Sequence, residues 1–464
     1  MALRSQTFAS TARNSENLRR SQNSAVKNPP KKDASSNRNA AKPAPQEPGS
    51  RARKLTFAEH IPGVQIEAVS ASNAPGCLWL CIKDSKTIQI RSCLAHDGIT
   101  YLPGLIPPGL GQLVRFARRP SESRATEKLQ SEMQKFLSKY VDQDTQTINV
   151  LVAFVLASWF IECFEVAPAL WLHGPDAEVC TVLRLLNILC YHPVLLRDLD
   201  VAALRTLPFG LRVTLLIAQP DLARGVEKAL LNSERRHFCF ARGKQAIDIF
   251  GARAVHCNSL SHEIGLVCRL DPARRHLACL SESDEEAASQ FFQADLLAYR
   301  MSHYADVQKF EVDSNENYVG LEDEIKAWLA AIPRGSDLED SVLRAFAERS
   351  AETESARFED PTCLVAEAAL LFCHKESTKF FYIRELAEVV NDLLKGRHAD
   401  VKFEDRKIGA VLRNVGIHAT RVTKGFRVNL SPEMRQRIHA VATAYRVLSA
   451  QPDVVRCADC KMPQ

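Results

Sequence analysis

The chain lacks any apolar run of the roughly 18–20 residues that a membrane-spanning helix requires. Its nearest approach, Val150–Ile161, is 12 residues long, stops at Glu162 and reads as a buried helix. The N-terminus holds no apolar signal segment, so secretion is unsupported and a cytoplasmic location is expected. Catalytic signatures are missing too. The 13 histidines show no H-E-x-x-H spacing, and there is no nucleophile elbow, paired-carboxylate motif or dinucleotide fingerprint. Nothing repeats at solenoid or propeller periods. Disulfide patterning is absent as well: the 14 cysteines fall mostly inside apolar stretches, as reduced core residues do in a chain of this length. A membrane protein, a secreted disulfide scaffold and a fibrous protein are excluded.

What is present suits a soluble multidomain chain. Its 464 residues allow two to four domains at about 100–200 residues each, and the 46% hydrophobic and 25% charged shares are ordinary. The net charge of +5 is unevenly spread. Residues 1–54 carry 12 Lys/Arg against 3 Asp/Glu, a net of +9 that leaves −4 for the rest. Rich in Ser, Asn, Ala and Pro, this basic leader is expected to be disordered. It serves either as a nucleic-acid arm or as a solubilising extension.

Residues 55–120 read as a small β-rich unit. Cys77–Ile82 and Thr87–Arg91 form a hairpin-like pair across Lys83–Lys86. Prolines and glycines then break regular structure, and Arg118–Arg124 reads as a linker. Residues 121–305 alternate helix and strand: helices near 126–141 and 146–165, strand Ala169–His173, a helix Val179–Cys190, strands near 194–197 and 213–217, shorter strands near 237–242, 252–257 and 264–270, and a helix over 284–303. Near-continuous apolar strands separated by helices indicate a parallel sheet covered on both faces, an α/β domain. Residues 306–361, acidic and partly helical, read as a connector; 362–449 form a compact unit and 450–464 a tail.

The strand ending at His173 runs into Gly174-Pro-Asp-Ala-Glu-Val-Cys-Thr181 and a helix, the context in which a P-loop cradles phosphates. That pattern needs Gly and Lys where this chain has Val179 and Cys180; only Gly174 and Thr181 remain. Asp176 and Glu178 make the loop acidic, so triphosphate binding is expected to be weak or absent. The metal- and water-holding half of such a site fails in parallel, because Ala218-Gln219 follows Thr214–Ile217 where Asp-Glu would stand. Two readings stand: a degenerate P-loop, or an α/β sheet that was never a nucleotide site.

From Leu129 to Val307 the chain resembles the P-loop ATPase domain of phage- and plasmid-type primase–helicase proteins. The likeness lies in Phe154-Val-Leu-Ala-Ser-Trp-Phe, Ala167-Pro-Ala-Leu-Trp-Leu-His-Gly-Pro, Leu183-Arg-Leu-Leu, Cys190-Tyr-His-Pro and Thr214-Leu-Leu-Ile. In that family a Gly-Lys-Ser/Thr and an Asp-Glu occupy the positions of Val179-Cys180-Thr181 and Ala218-Gln219. The resemblance places a polar sensor residue at Asn258; a plain polar strand end fits that position equally. It implies a P-loop-like fold whose activity does not carry over, a pseudo-ATPase with no cofactor.

In the last unit Ile383, Leu386, Ala387, Val390, Leu393 and Leu394 form one helical face ended by Gly396. Ile408, Val411, Leu412 and Val415 form a second, ended at Gly416. A hairpin comes next, Thr420–Thr423 and Phe426–Asn429 turning at Lys424-Gly425, and then Ser431 caps a helix with Pro432 at its first position. This is the pattern of a winged helix, a DNA-binding helix-turn-helix variant. Between Lys375 and Arg446 there are 15 Lys/Arg and 8 Asp/Glu. Arg406, Lys407 and Arg413 lie off the apolar face of the second helix, and Arg421, Lys424 and Arg427 fall on the hairpin, as phosphate contact requires. The string Arg406-Lys-Ile-Gly, Leu412-Arg, Gly416-Ile and Lys424-Gly-Phe-Arg-Val resembles the C-terminal winged helix that often follows the same ATPase family. DNA contact and protein docking both remain open.

Smaller signals are read blandly. Cys457 and Cys460 have zinc-ligand spacing, but Cys77 and Cys81 are the other spaced pair, on one strand face, and no metal site is expected. His173 reads as a strand-end residue, and Glu282–Glu286 as a solvated helix start. The expected function is that of an inactive P-loop ATPase homologue with a DNA-binding winged helix, associated with replication or a mobile element as a binding or scaffold protein, with protein partners and a homo-oligomer both open. The alternatives are an active DNA-dependent NTPase or helicase subunit, and a winged-helix transcription regulator with a protein-docking α/β domain.

Overall fold

The structure, a computed structural model, describes residues 52–71, 77–84, 87–106, 113–122, 125–242, 245–258, 265–312, 321–357, 360–375, 377–397, 402–445 and 447. Most of the basic leader, the tail, and with it Cys457 and Cys460, lie outside the described residues.

The first strand, β1 (Ala52–Thr56), already begins inside the stretch expected to be leader, and pairs parallel with β7 (Ile99–Pro103). Between them run β2 (Ala58–Ile61), β3 (Val64–Ser70), β4 (Leu78–Lys83), β5 (Ile88–Arg91) and β6 (Leu94–His96). Strands β2 to β5 make an antiparallel meander, and β6 pairs with β7. The β4–β5 hairpin is the one expected, its turn held by Asp84, whose carboxylate accepts from the Thr87 N–H at 2.7 Å. Cys77 is exposed outside β4, whereas Cys81 is buried in it, so they do not form a pair.

Helices α1 (Thr126–Tyr140) and α2 (Thr145–Ser158) lead into a five-stranded sheet built from β8 (Ala169–His173), α3 (Asp176–Leu189), β9 (Pro193–Leu196), α4 (Val201–Leu204), β10 (Thr214–Ile217) and α5 (Arg224–Asn232). The hairpin β11 (Cys239–Arg242) and β12 (Gln245–Asp248) intervenes before β13 (Arg253–His256) and β14 (Leu266–Arg269). The sheet order is β14-β8-β13-β10-β9, parallel throughout. Apolar residues alternate between two cores. Leu170, Leu172, Leu216 and Ala254 face one cluster with α2 and α3, while Trp171, Leu215, Ile217 and Val255 face another containing Leu204, Val226 and Leu230. Strands buried on both faces must be apolar at nearly every position, which makes them readable in the sequence.

The 28-residue helix α6 (Glu282–Lys309) starts at Ser281, whose hydroxyl accepts from the Asp284 N–H in a capping box. Its acidic start is not wholly solvated. Glu285 accepts from Arg184 Nε at 2.9 Å and its side chain is 16% exposed. The acidic connector is also corrected: α7 (Glu322–Leu329) and α8 (Asp337–Arg357) put Ile325, Trp328, Val342 and Phe346 into the same core as α2 and α3. Only their outer faces are acidic.

The β-rich unit docks on this core through a buried cation. Arg300 of α6, 1% exposed, donates from Nε to Glu67 at 2.7 Å, from Nη1 to Glu162 at 2.9 Å and to the Trp159 carbonyl. Tyr191 donates its hydroxyl to Glu67 at 3.1 Å. A buried guanidinium is tolerable only when its donors are matched in this way.

The C-terminal unit runs α9 (Pro361–His374), β15 (Phe380–Tyr382), α10 (Ile383–Gly396), α11 (Asp405–Asn414), β16 (Thr420–Val422), β17 (Gly425–Asn429) and α12 (Pro432–Ala444), with sheet order β15-β17-β16 around its own core. Helix α11 ends in a Schellman turn: the Ile417 N–H reaches the Leu412 carbonyl at 2.8 Å and the Gly416 N–H the Arg413 carbonyl at 3.1 Å, with Gly416 at φ +75°. Strand pairing of Val422 with Gly425 sets the hairpin turn at Thr423-Lys424, one residue earlier than expected.

Candidate functional site

Two regions hold the residues singled out in the sequence. The first is the carboxyl edge of the parallel sheet. The chain runs out from β8 to β9 at the far edge, returns through β10 and β13, and then passes β8 to add β14. The loop after β8 sits at this change of direction, where open α/β sheets bind ligands.

Gly174 is required there by space: a Cβ would lie 2.5 Å from the Leu270 carbonyl oxygen. Helix α3 starts at Asp176, earlier than the expected Val179, so the residues that would wrap a phosphate are already wound into helix. The Val179 N–H is spent on the Pro175 carbonyl at 3.1 Å, and its side chain is fully buried in the main core. Thr181 donates its hydroxyl back to the Ala177 carbonyl at 2.8 Å. Cys180 faces Arg197, an exposed cation at the end of β9 whose Nη2 lies 3.4 Å from the sulfur. The helix start bears its own anions, Asp176 and Glu178, and Glu178 accepts from the Ala273 N–H at 3.2 Å. Both carboxylates lie in the first turn, where the helix end is positive.

At the end of β10, Ala218 packs against the core and Gln219 is a structural clamp. Its Oε1 accepts from the Leu199 N–H at 2.8 Å, and its Nε2 donates to the Asp221 carbonyl at 3.2 Å. Asn258, beyond β13, donates to the Asp221 carboxylate at 3.2 Å. Gln219 and Asn258 thus meet on Asp221, a residue that no motif in the sequence singles out. His173 pairs through Nδ1 with the Cys257 carbonyl at 3.0 Å. Beside it His256, 1% exposed, has Nε2 3.7 Å from Asp176. Burial lowers the His256 pKa, partly opposed by Asp176 and the Gly174 backbone.

The second region is a cleft of about 660 Å³ in the C-terminal unit, between the start of α10, one face of α11 and the β16–β17 hairpin. Arg406 and Arg413, two turns apart on α11, line it with Lys424 of the hairpin. Three of the six expected cations are therefore brought together. The other three are not on the cleft. Lys407 turns away to lie 4.0 Å over the Phe403 ring, and Arg427 stacks over Phe380 at 4.8 Å. Arg421 is exposed on β16 opposite Phe426. Arg384 of α10 joins the lining, as do His418 and the 52% exposed Phe426. The sequence signal for Arg384 is its place off the apolar face of α10, but only the fold shows that this helix start borders α11. Asp405 is the carboxylate among the lining residues.

No family model matches the chain, and no curated protein matches it. Among solved structures it is similar to the apo C-terminal region of NrS-1, at 11% identity and a TM-score of 0.35, covering 80% of this chain and 97% of that one. It is similar to a full-length MCM homologue from Methanopyrus kandleri at 10% identity and a TM-score of 0.28, over 62% of this chain and 72% of that one. A third similarity is to Cdc6p from Pyrobaculum aerophilum, at 11% identity and a TM-score of 0.19, over 70% and 99%.

Proposed function

We propose that the chain is a catalytically inactive P-loop ATPase homologue joined to a winged helix that binds DNA, and that it acts as a binding or scaffold protein in replication or in the life of a mobile element. The observation that carries this is the basic cleft. Arg384, Arg406, Arg413 and Lys424 converge from three elements on one concavity, against Asp405. Cations gathered by separate elements on one side of a small unit suit a polyanion, and their contacts with phosphate release counterions. In this reading α11 is the recognition helix, β16–β17 the wing and the short β15 the strand that anchors it.

Inactivity is inferred from the sheet edge. A phosphate cradle needs free backbone N–H groups, a lysine and a metal-holding carboxylate pair. Here the N–H of Val179 is bonded within its helix, Cys180 stands for the lysine, and Ala218 and Gln219 stand for the carboxylates. Asp176, Glu178 and Asp221 add negative charge where triphosphate would lie.

The test is anisotropy of a labelled DNA duplex with the full chain and with Arg406→Ala/Arg413→Ala/Lys424→Ala, alongside ATP turnover with and without DNA. The expected results are roughly tenfold or greater weakening by the triple variant and no turnover above the protein-free rate. Equal affinities would refute the cleft as the DNA site, and DNA-stimulated turnover would refute inactivity.

A further inference from the structure

We infer that the cleft between α11 and the hairpin receives an unpaired base, so that the C-terminal unit prefers DNA with a single-stranded segment to blunt duplex. This rests on the DNA-binding reading and deepens it. Phosphate contact alone needs protruding cations and no hollow. This surface has a hollow of about 660 Å³, within the roughly 300–1,000 Å³ of pockets that enclose small molecules. Ile383, Ile417 and Ala419 give it an apolar lining. Gly409, on α11, keeps it open: a Cβ there would already press on Ile383 at 3.3 Å.

At the hollow's rim Phe426 is 52% exposed, an apolar ring that water does not favour. Stacking on a base covers such a ring, and every base has a face to offer. Arg421 stands opposite Phe426 in the hairpin register, and Arg406, Arg413 and Lys424 surround the hollow, placed for the flanking phosphates. Arg384 is held in part by Glu388 at 3.4 Å. Asp405 would repel a phosphate, but it accepts hydrogen bonds from an exocyclic amine, so a base edge is its natural neighbour. A paired base inside a duplex shows that amine only at the floor of the major groove and has no free face to stack on Phe426.

The experiment measures binding of the full chain to a blunt duplex and to the same duplex with an unpaired overhang. The wild-type chain, Phe426→Ala and Phe426→Tyr are compared at one salt concentration, with circular dichroism to confirm folding. The overhang is expected to tighten binding by about tenfold, Phe426→Ala to weaken overhang binding by more than it weakens blunt-duplex binding, so that the ratio of the two affinities falls toward one, and Phe426→Tyr to restore that ratio. Equal affinity for the two DNAs, or equal losses on both with Phe426→Ala, would overturn this inference and leave the DNA-binding reading standing. Binding of neither DNA would overturn both.

Discussion

At the position where a phosphate loop would carry its lysine, Cys180 sits on the first turns of α3 rather than in a loop. Restoring the charge therefore should not restore the site. Cys180→Lys is expected to show no ATP binding by calorimetry, because the Val179 N–H is already bonded to the Pro175 carbonyl and Asp176 and Glu178 place negative charge at the helix start; measurable binding heat would contradict this. His192 is a second informative residue. Buried between Tyr191 and Phe116, it donates from Nδ1 to the Leu211 carbonyl at 2.8 Å. Burial drives its pKa down to about 4, against weaker opposition from that carbonyl and Glu162. The fold holds the neutral ring. Its stabilisation is complete above the unfolded value near 6.5 and is lost as pH falls toward 4, a loss of about 3 kcal/mol. Urea unfolding across that range should show the decline, and His192→Asn, which tolerates the residue's φ of +42°, should flatten it. An unchanged pH slope in the variant would exclude His192 as the source.

Among the elements, α7 and α8 show where a charge pattern misleads. Their acidic outer faces suggest a connector, yet Trp328 and Phe346 are 1% and 0% exposed within the main core. Trp328→Ala should cost about 3–5 kcal/mol in a urea titration; a change below about 1 kcal/mol would restore the connector reading. Strands β8, β10, β13 and β14 are legible because two-sided burial forces unbroken apolar runs. The three-residue β15 is not, since Phe380–Tyr382 has no periodicity of its own and is a strand only through its pairing with β17. The start of α3 is hidden for a similar reason. Gly174 fits a phosphate loop locally, and only the packing of Val179 into the core pulls the helix back to Asp176. The cations of the C-terminal unit can be named from sequence, but their grouping cannot. Lys407 and Arg406 are adjacent in the chain, yet a helix turns successive residues by about 100° and sends one of them away from the cleft.

Across the molecule, the β-rich unit and the sheet domain share the buried Arg300, which faces Glu67 from one and Glu162 from the other. Arg300→Leu leaves a buried carboxylate unpaired and is expected to cost about 3–5 kcal/mol. Adding Glu67→Gln should recover part of it, and a single variant as stable as wild type would show that the pair does not hold the two units together. No described helix is long and apolar enough to cross a membrane, and the two candidate sites lie in separate cores.

DNA binding through the cleft is tested most directly by the salt dependence of duplex affinity, measured for the full chain and for Arg406→Ala/Arg413→Ala/Lys424→Ala. Each phosphate contact removed lowers the log–log slope by about 1, while the basic leader is identical in both proteins. A slope shallower by about 3 is expected in the variant, and superimposable salt titrations would contradict the cleft as the DNA-binding surface.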